Sequence, residues 1–402
     1  MKRFVSVVGM ASLSLAGAQA QASGFRLPEA SIAGAALSNA LVANHKEIGA
    51  LAYNPAAMSF HDGTQLAAGL IFLTHGVSVT PTGGAAKVDS DHKELAYLPN
   101  LYIANRRNAD WSWGLNIGTP FGLETKWPGN TFPALGSLPL VHPAESKIEV
   151  INFNPNFSYR MSANTSAAIG VNYYRVREVK LNTHAATING DGGDLGWNAA
   201  LMHVAGPWSF GASYRSAVTV ALDGKINNSG ISADLNLPWM AQIGVRYQAT
   251  DNLGVEFDIE RTGWKKFNQI LVNSNATGAV LVNNTNGWKS ANAYRLGITY
   301  DLGTGTQLRA GYSRDLAGQG DDRFTARVPD ADRNLFSAGL KQKLANDWAI
   351  EAAYMYVKFD DRDYASTVPF GTYGTDPNGT SVYNGKYQSN AHLFGLGVTK
   401  KF

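Results

Sequence analysis

The residues that could support catalysis or bind a metal ion are few and scattered along the chain. There is no cysteine among the 402 residues, which excludes disulfides, thiolate zinc sites and a cysteine nucleophile. Neither Gly-x-Ser-x-Gly nor His-Glu-x-x-His occurs, and the eight histidines lie far apart. Two acidic runs, 189–194 and 360–363, could hold a divalent ion through carboxylate oxygens, but loop acids are more often simply solvated. The sequence therefore predicts a protein that is not an enzyme and has no cofactor or bound metal.

The composition is that of a folded chain without a nucleic-acid partner. Hydrophobic residues make up 45% and aromatic residues 11%, and 34 Lys+Arg stand against 31 Asp+Glu, a formal net charge of +3. Disordered chains combine few aromatic residues with high net charge. So slight a basicity does not indicate nucleic acid. The length allows either two or three ordinary domains or one large β architecture.

The first 22 residues have the pattern of a secretory signal peptide. Lys2 and Arg3 precede an apolar stretch from Phe4 to Leu15, and small residues follow at Ala20 and Ala22. We expect cleavage after Ala22. The alternative, a membrane anchor, would need roughly 20 apolar residues, and this stretch has 12. No later run of 18 apolar residues occurs, so the sequence predicts an exported protein without a membrane helix.

Apolar and polar residues alternate with a period of two along most of the remaining chain. In 293–300, every second residue is large and apolar, namely Tyr294, Leu296, Ile298 and Tyr300. Such alternation is typical of a strand with one apolar face. A soluble sandwich would turn that face inward, whereas a membrane barrel turns it outward to lipid and the polar face toward the lumen.

The joins between the strand-like runs favour the barrel. The fourteen runs are 62–80, 93–106, 110–122, 147–161, 165–181, 195–205, 207–224, 235–249, 252–268, 288–301, 305–317, 331–345, 347–363 and 386–402. Short joins alternate strictly with long ones, which lie at 81–92, 123–146, 182–194, 225–234, 269–287, 318–330 and 364–385. An even strand number, with short turns on one rim and long loops on the other, is typical of outer-membrane barrels.

We therefore predict an all-β fold, a 14-stranded antiparallel transmembrane β-barrel, over 62–402. The final run places Phe394, Leu396, Val398 and Phe402 on one face. A barrel strand that ends on an aromatic residue resembles the C-terminal assembly signal of Gram-negative outer-membrane proteins. The predicted location is the bacterial outer membrane, with outer-membrane lipid and lipopolysaccharide as neighbours.

The segment 23–61 does not fit the strand pattern. It is rich in small residues and precedes the first strand, so it could be a periplasmic tail or an N-terminal hatch (plug) inside the lumen. Fourteen strands enclose a space too wide for their own side chains to fill, and an apolar tail would be poorly solvated. Both arguments favour the hatch.

The mature chain resembles the FadL family of outer-membrane channels for long-chain fatty acids and other hydrophobic compounds, which includes TodX-like aromatic hydrocarbon transporters. The most specific piece is Tyr53-Asn54-Pro55-Ala56-Ala57-Met58, which is similar to the family's Asn-Pro-Ala signature at the end of the hatch. The supporting pieces, in order, are Ser23-Gly24-Phe25, Pro120-Phe121-Gly122-Leu123, Asn154-Pro155-Asn156, Tyr214-Arg215-Ser216 and Arg327-Val328-Pro329-Asp330-Ala331-Asp332-Arg333.

The resemblance implies passive uptake in three steps. A hydrophobic ligand is captured by extracellular loops, binds beside the hatch and leaves sideways into the membrane through a kink in the third strand. The implied hatch residues are Asn54, Pro55 and Ala56, for which an ordinary turn before the first strand is the alternative. The implied lateral opening involves Gly114, Gly118 and Pro120, because Gly and Pro inside a strand mark bulges or lost ladder bonds; a plain strand end is the alternative.

The ligand-binding residues that the resemblance implies are Phe25, Phe121, Trp127, Phe132, Leu135, Arg215, Arg295 and Arg309. Within the loop 123–146, the apolar residues, which also include Leu138 and Leu140, could capture ligand or pack together as a lid. The loops 182–194 and 225–234, which form the surface groove in other family members, are short and polar here. That predicts a reduced or displaced groove.

The inward-facing arginines have two interpretations. Their planar forks could bind a carboxylate head group, or they could be neutralised by inward-facing Glu256, Asp258, Glu260 and Glu351 and so hold the hatch. The expected ligands are long-chain fatty acids, with aromatic or aliphatic hydrocarbons as the alternative. A general porin is a further alternative that needs no hatch, and the family is usually monomeric.

Overall fold

The structure, a computed structural model, describes residues 24–84, 86–91, 95–135 and 141–402. The predicted signal peptide 1–22 lies outside this part. The strands are β1 Thr64–Pro81, β2 Val88–Asp89, β3 Ala96–Arg106, β4 Trp111–Lys126, β5 Pro143–Ser162, β6 Thr165–Thr183, β7 Ile188–Ala205, β8 Trp208–Arg215, β9 Val218–Ile226, β10 Ser229–Leu237, β11 Met240–Gln248, β12 Leu253–Thr262, β13 Gln269–Ser274, β14 Val280–Thr285, β15 Ala291–Asp301, β16 Thr306–Asp315, β17 Arg333–Lys343, β18 Trp348–Phe359, β19 Arg362–Tyr364 and β20 Gly385–Lys401.

These strands form a closed antiparallel barrel of fourteen crossings in the described part of the chain, as predicted. Five crossings consist of two consecutive pieces, β8 with β9, β10 with β11, β12 with β13, β14 with β15 and β18 with β19, and β2 is a short addition. The last strand closes on the first, with pairs from Gln65↔Lys401 to Pro81↔Gly385. Closure pairs the backbone that an open edge would expose to lipid.

The two faces of the barrel wall follow the alternation in the sequence. On β5, Phe153 and Phe157 face outward and are exposed, whereas Asn154 and Asn156 face inward and are buried. A lipid-facing surface accepts large apolar side chains, and a filled lumen accepts polar ones that find hydrogen-bond partners. No helix among the described residues is long and apolar enough to cross a membrane.

Three of the predicted long loops are wrong. The loop 269–287 is mostly the paired strands β13 and β14, joined by the five residues 275–279. Strand β6 continues to Thr183 and β7 begins at Ile188, so a four-residue turn replaces the loop 182–194. Strands β9 and β10 are joined by two residues, Asn227 and Asn228, instead of the loop 225–234. These segments suggested loops because 189–194 consist only of Asn, Asp and Gly and 227–230 only of Asn, Ser and Gly, residue types that are typical of turns.

The N-terminal residues 24–61 form short helical pieces that pack against the inner wall. They comprise the helix α1, Ile32–Ala36, and 3-10 turns at Ile48–Ala52 and Pro55–Phe60. Ser31 caps α1 by accepting a hydrogen bond from Gly34 N. Nearly all side chains from 31 to 59 are buried, which is the packing expected of a luminal segment and not of a solvated tail.

Inward-facing glycines let this segment approach the wall closely. A methyl group added at Gly311 would lie 2.2 Å from the backbone carbon of Leu37, and one added at Gly211 would lie 1.9 Å from the carbonyl oxygen of Val42. An added methyl group would also lie 3.0 Å or less from an atom of the N-terminal segment at five further glycines. These are Gly69 and Gly397 against Ile32, Gly339 against Ala36, Gly297 against Ala40, and Gly114 against Met58. We call these seven glycines the glycine girdle. A side chain at Gly311, Gly211 or Gly339 would press on backbone or Cβ atoms of the N-terminal segment, whereas at Gly69, Gly397 and Gly114 the nearest atoms of the segment belong to the side chains of Ile32 and Met58.

Candidate functional site

A bulge interrupts the third crossing at the predicted opening. Gly118 pairs with Asn152, but Phe121 pairs with Val150, so β4 carries one more residue than β5 between these two pairs. The extra residue lies at Thr119 and Pro120, and proline cannot donate a ladder hydrogen bond. Gly114, in contrast, lies in a regular stretch opposite Asn156, and its lack of a side chain makes room for Met58.

The ladder between β3 and β4 stops just before the bulge. Its pairs run from Arg106↔Ser112 to Leu101↔Ile117 and no further in the described chain. Farther along β4, the oxygen of Lys126 accepts from the N–H of Asp91, which lies between β2 and β3, at 2.8 Å. Between these points lies an opening in the wall, which we call the window.

The N-terminal residues cover the free edge of β4 from inside. Leu27 N donates to Pro120 O at 2.9 Å, and Gly122 N donates to Phe25 O at 3.0 Å. Arg26 and Phe121 form an antiparallel bridge. The backbone groups that the bulge releases from β3 are thus satisfied by the segment that lies across the window.

A cavity of about 560 Å³ extends through the window. Outward-facing Tyr97 and Pro99 line it together with inward-facing Leu98, so it reaches both sides of the wall. Arg26 and Leu27 lie on its inner side. We call it the lateral cavity.

A second cavity, of about 110 Å³, lies among the upper strands and is lined almost entirely by apolar groups. We call it the apolar cavity. Phe25 lies at one end, with its ring centre 4.6 Å from that of Trp264 and 5.1 Å from that of Phe267. The other apolar lining residues are Leu123, Ile148, Val179, Leu181, Ile188, Leu222, Ile231, Ala233, Leu235, Ile270, Val272 and Val328. Both cavities share Leu123, Lys147, Ile148 and Val328, so they are neighbours with these four residues between them.

One charged side chain in the apolar cavity has no opposite charge beside it. Arg327 is 7% exposed, and its Nη1 donates to Ser146 Oγ and to Asn182 O, each at 3.0 Å. Within the described ranges, no carboxylate lies within 4.0 Å of its guanidinium. Burial lowers the pKa of Arg327. A buried cation without an anion is costly, and an anionic ligand would remove that cost.

The other inward arginines are already occupied. Arg295 lies 3.3 Å from Glu260 and 3.7 Å from Asp315, and Arg309 contacts Glu47 at 2.9 Å and Glu351 at 3.0 Å. Neither arginine lines the apolar or the lateral cavity. These ion pairs agree with the second interpretation, in which inward-facing arginines and acids neutralise one another. Because Glu47 belongs to the N-terminal segment, its pair with Arg309 also connects that segment to the wall.

Arg215 has a different set of partners. It lines a small third cavity, of about 50 Å³, below the bulge. Its guanidinium donates to Asn154 Oδ1 at 3.1 Å, to the side chain of Asn172 and to Ala52 O at 2.9 Å. Its hydrogen-bonding capacity is therefore largely used by the wall and by the N-terminal segment.

The predicted loop residues are buried together and not exposed. Trp127, Phe132 and Leu135 are at most 2% exposed and pack with Phe324 and Tyr383 from later loops. Trp127 Nε1 donates to Ala326 O at 2.8 Å. These side chains form a lid over the barrel mouth, the alternative arrangement for this loop. Leu138 and Leu140 lie outside the described residues.

Asn54 ties the N-terminal segment to the wall. Its Oδ1 accepts from Ala56 N at 3.1 Å, and its Nδ2 donates to Val42 O and to Leu201 O of β7, each at 2.9 Å. Pro55 begins the 3-10 turn, where a missing N–H costs nothing. Ala56 O accepts from Ser166 Oγ at 2.7 Å.

Reasoning from sequence alone misses two features. In the sequence Arg327 stands out only as part of a motif, although an arginine followed by Val328-Pro329, in a loop that also carries three aspartates and Arg323, is a visible signal. The glycine girdle is missed as well, because a glycine in a strand reads equally well as a bulge or as a close approach.

Known proteins are similar to this chain over nearly its whole length. The long-chain fatty acid transport protein of Escherichia coli O6:H1 is 23% identical over 451 aligned residues, 97% of each chain. Outer membrane protein P1 of Haemophilus influenzae is 22% identical over the full length of both chains. The crystal structure of a Pseudomonas aeruginosa FadL homologue has a TM-score of 0.80 at 17% identity, over 94% of this chain and 100% of that one.

A toluene transporter, TodX of Pseudomonas putida, also has this fold. Its TM-score is 0.68 at 16% identity, over 96% of this chain and 99% of that one. The family described as outer membrane protein transport protein (OMPP1/FadL/TodX) matches residues 13–402. The resemblance inferred from the sequence is thereby confirmed, and the chain belongs to this family of outer-membrane transporters of hydrophobic compounds.

Proposed function

We propose that this protein carries long-chain fatty acids across the outer membrane. The acyl chain lies in the apolar cavity against Phe25, and the carboxylate binds Arg327. The observation that carries the proposal is a buried guanidinium without a carboxylate partner in the described chain, on the wall of a cavity whose lining surface is mostly apolar and whose two lysines, Lys147 and Lys180, are already paired with glutamates. A hydrocarbon would leave that cation unpaired, whereas a fatty acid neutralises it.

The route out of the apolar cavity runs sideways. The apolar and lateral cavities share part of their lining, and the lateral cavity reaches the outer face of the wall at the window. Movement of Phe25 and Leu27 away from β4 would join the apolar cavity to the lateral cavity. The bulge at Thr119 and Pro120 keeps the window open by preventing β3 and β4 from pairing. An exit through water would instead expose the acyl chain at about 25 cal/mol per Å² of apolar surface.

The remaining roles complete the proposal. Residues 1–22 direct export and are cleaved, 23–61 act as the hatch, and 62–402 form the conducting barrel. The lid of Trp127, Phe132 and Leu135 must part for ligand to enter. The protein acts as a monomer that is not an enzyme, surrounded by outer-membrane lipid and lipopolysaccharide.

Aromatic hydrocarbons are the second candidate. Phe25 and Phe267 line one end of the apolar cavity, and Trp264, Phe267 and Trp288 all pack around Phe25 with edge or tilted geometry. Such a cluster would also suit a flat aromatic ligand. The fold is shared with a toluene transporter, so the two candidates must be separated by experiment.

The test compares oleate and toluene in a host that lacks its own fatty-acid channel. Labelled uptake is measured for the parent, Arg327→Ala, Arg327→Lys and, as a matched loss of one positive charge, Arg261→Ala. Arg261 is exposed on the outer face and bonds only to Asn292 in the described chain. A hydrogen bond to a charged group contributes about 1.5–3 kcal/mol, so Arg327→Ala should lower oleate affinity about 10- to 150-fold.

The outcomes distinguish the candidates. Loss of oleate uptake in Arg327→Ala, with partial retention in Arg327→Lys and parental uptake in Arg261→Ala, supports the fatty-acid assignment. Toluene uptake that Arg327→Ala leaves unchanged, together with no oleate uptake by the parent, favours the hydrocarbon. Parental oleate uptake by Arg327→Ala would refute the role of Arg327.

A further inference from the structure

A carboxyl group lies on the inner side of the lateral cavity without a cation beside it. Glu29 belongs to the N-terminal segment, just before Ser31, and is 7% exposed. Its Oε1 accepts a hydrogen bond from Asn39 Nδ2 at 3.2 Å. In the part of the chain that the structure describes, no lysine, arginine or histidine nitrogen lies within 4.0 Å of its carboxyl oxygens. A neutral amide therefore positions this group, and no ion pair neutralises it.

The charged side chains around Glu29 are engaged with other partners. Arg26 contacts Glu260, and Arg333 of β17 lies 3.3 Å from Asp315 of β16. The other titratable side chains of the segment and of the cavity lining are Tyr53, whose hydroxyl bonds to Pro28 and Asn39, and His75, Glu124, Lys147, Glu149, Arg177 and Asp330. Burial without a neighbouring cation disfavours the charged form of a carboxyl group, so Glu29 carries a proton.

A fatty acid that leaves Arg327 sideways needs a proton before it passes the window. The residues directly after Arg327, from Val328 to Asp330, line the lateral cavity, so the head group passes from Arg327 into a space that Glu29 also lines. Beyond the window it meets hydrocarbon, where a charge is far more costly than a neutral carboxyl group. The neutral acid avoids that cost, and Glu29 is a buried carboxyl group on the route.

We propose that Glu29 donates its proton to the carboxylate of the departing fatty acid. The O–H bond of the Glu29 carboxyl group breaks and an O–H bond forms on the ligand, so the ligand leaves as the neutral acid and Glu29 remains as a carboxylate. A hydronium ion from water that enters the lateral cavity then protonates Glu29 again. The net change is the uptake of one solvent proton by each fatty acid. This inference rests on the proposed transport of fatty acids.

The test compares Glu29→Gln with Glu29→Asp in the host that lacks its own fatty-acid channel. Glu29→Gln keeps the size and the acceptor for Asn39 but has no acidic proton, so the initial rate of oleate uptake at saturation should fall at least about tenfold. Oleate binding by the purified variant should equal that of the parent, because Glu29 does not line the apolar cavity. Glu29→Asp is shorter but acidic, and it should retain more uptake than Glu29→Gln. A purely structural role would give the reverse order.

The matched control is Glu149→Gln, which removes an acid from the lining of the same cavity. Glu149 is paired with Arg177 at 2.9 Å, and its variant should take up oleate like the parent. Parental uptake by Glu29→Gln, or uptake by Glu29→Asp no greater than that by Glu29→Gln, would overturn the role of Glu29. If Arg327→Ala still loses uptake in that case, the proposed function stands and this inference alone fails. Absence of oleate uptake by the parent would overturn both.

Discussion

At the scale of the residue, Asn54 uses its whole amide. The oxygen caps the turn that begins at Pro55, and the nitrogen bridges Val42 of the N-terminal segment and Leu201 of the wall. An amide can do this because it presents an acceptor and two donors on one short side chain. No other residue of this size combines the two functions.

Substitution of Asn54 should therefore separate capping from bridging. Asn54→Ala removes both and should destabilise the fold by about 1–3 kcal/mol. Asn54→Asp keeps the capping oxygen but turns a carboxylate toward two carbonyl oxygens. It should therefore lower the stability of the fold at least as much as Asn54→Ala does, although Asp and Asn are equal in size. Thermal unfolding, followed by the heat-dependent shift in electrophoretic mobility, measures both. Parental stability of Asn54→Asp would show that the bridge contributes little.

How far the sequence predicts the site depends on how local each contact is. Asn54 and Pro55 could be named because a cap and its turn are encoded within three residues. The environment of Arg327 could not, because it is created when its loop folds against Ser146 of β5 and Asn182 of β6. Arg295 and Arg309 face inward as predicted, but which acids they meet depends on the packing of the segment that carries Arg26 and Glu47.

At the scale of the element, β4 owes its shape to one surplus residue. Deletion of Thr119 would match β4 to β5 residue for residue, while Phe121 and the positions above it would keep their inward direction, because the bulge adds one residue. The straightened strand should then pair with β3 and close the window. We expect oleate to bind the purified variant normally and its uptake in cells to be lost.

The matched variant for this deletion is Thr119→Ala, which keeps the residue count and hence the bulge. It should bind and take up oleate like the parent. Uptake by the deletion variant at the parental rate would exclude the window as the exit.

The strands themselves were largely predictable because lipid on one side and a filled lumen on the other impose strict alternation. Tyr294 to Tyr300 on β15 is a clear instance. The prediction failed at 189–194, where glycines and acids suggested a loop but Gly190 and Gly192 pair with β6 and β9. These arms still bury one apolar face, which includes Ile188, Leu222 and Ile231, but the glycines and acids of 190–194 interrupt the apolar alternation.

At the scale of the whole molecule, the glycine girdle makes the fit between the barrel and the N-terminal segment sensitive to a single methyl group. Gly311→Ala would press on the backbone of Leu37 and Ser38. Overpacking typically costs about 1–3 kcal/mol. We expect a lower unfolding temperature and, in planar bilayers, steady ion conductance that the parent lacks.

The matched control is Gly76→Ala on the exposed face of β1, where the added carbon would lie 3.6 Å from Asn390. It should behave like the parent in both measurements. Steady conductance by the parent itself would contradict a lumen filled by 24–61 and would favour a general porin.

The closed seam between β1 and β20 also dictates an order of events during biogenesis. The N-terminal segment comes first in the chain, yet it ends up encircled by a ring whose last partner, Phe402, donates its N–H to Thr64 O at 2.8 Å. A ring that had already sealed would have to admit 24–61 through one of its ends. The simpler course is for the wall to curl around this segment and to seal last, at the pairing of β1 with β20.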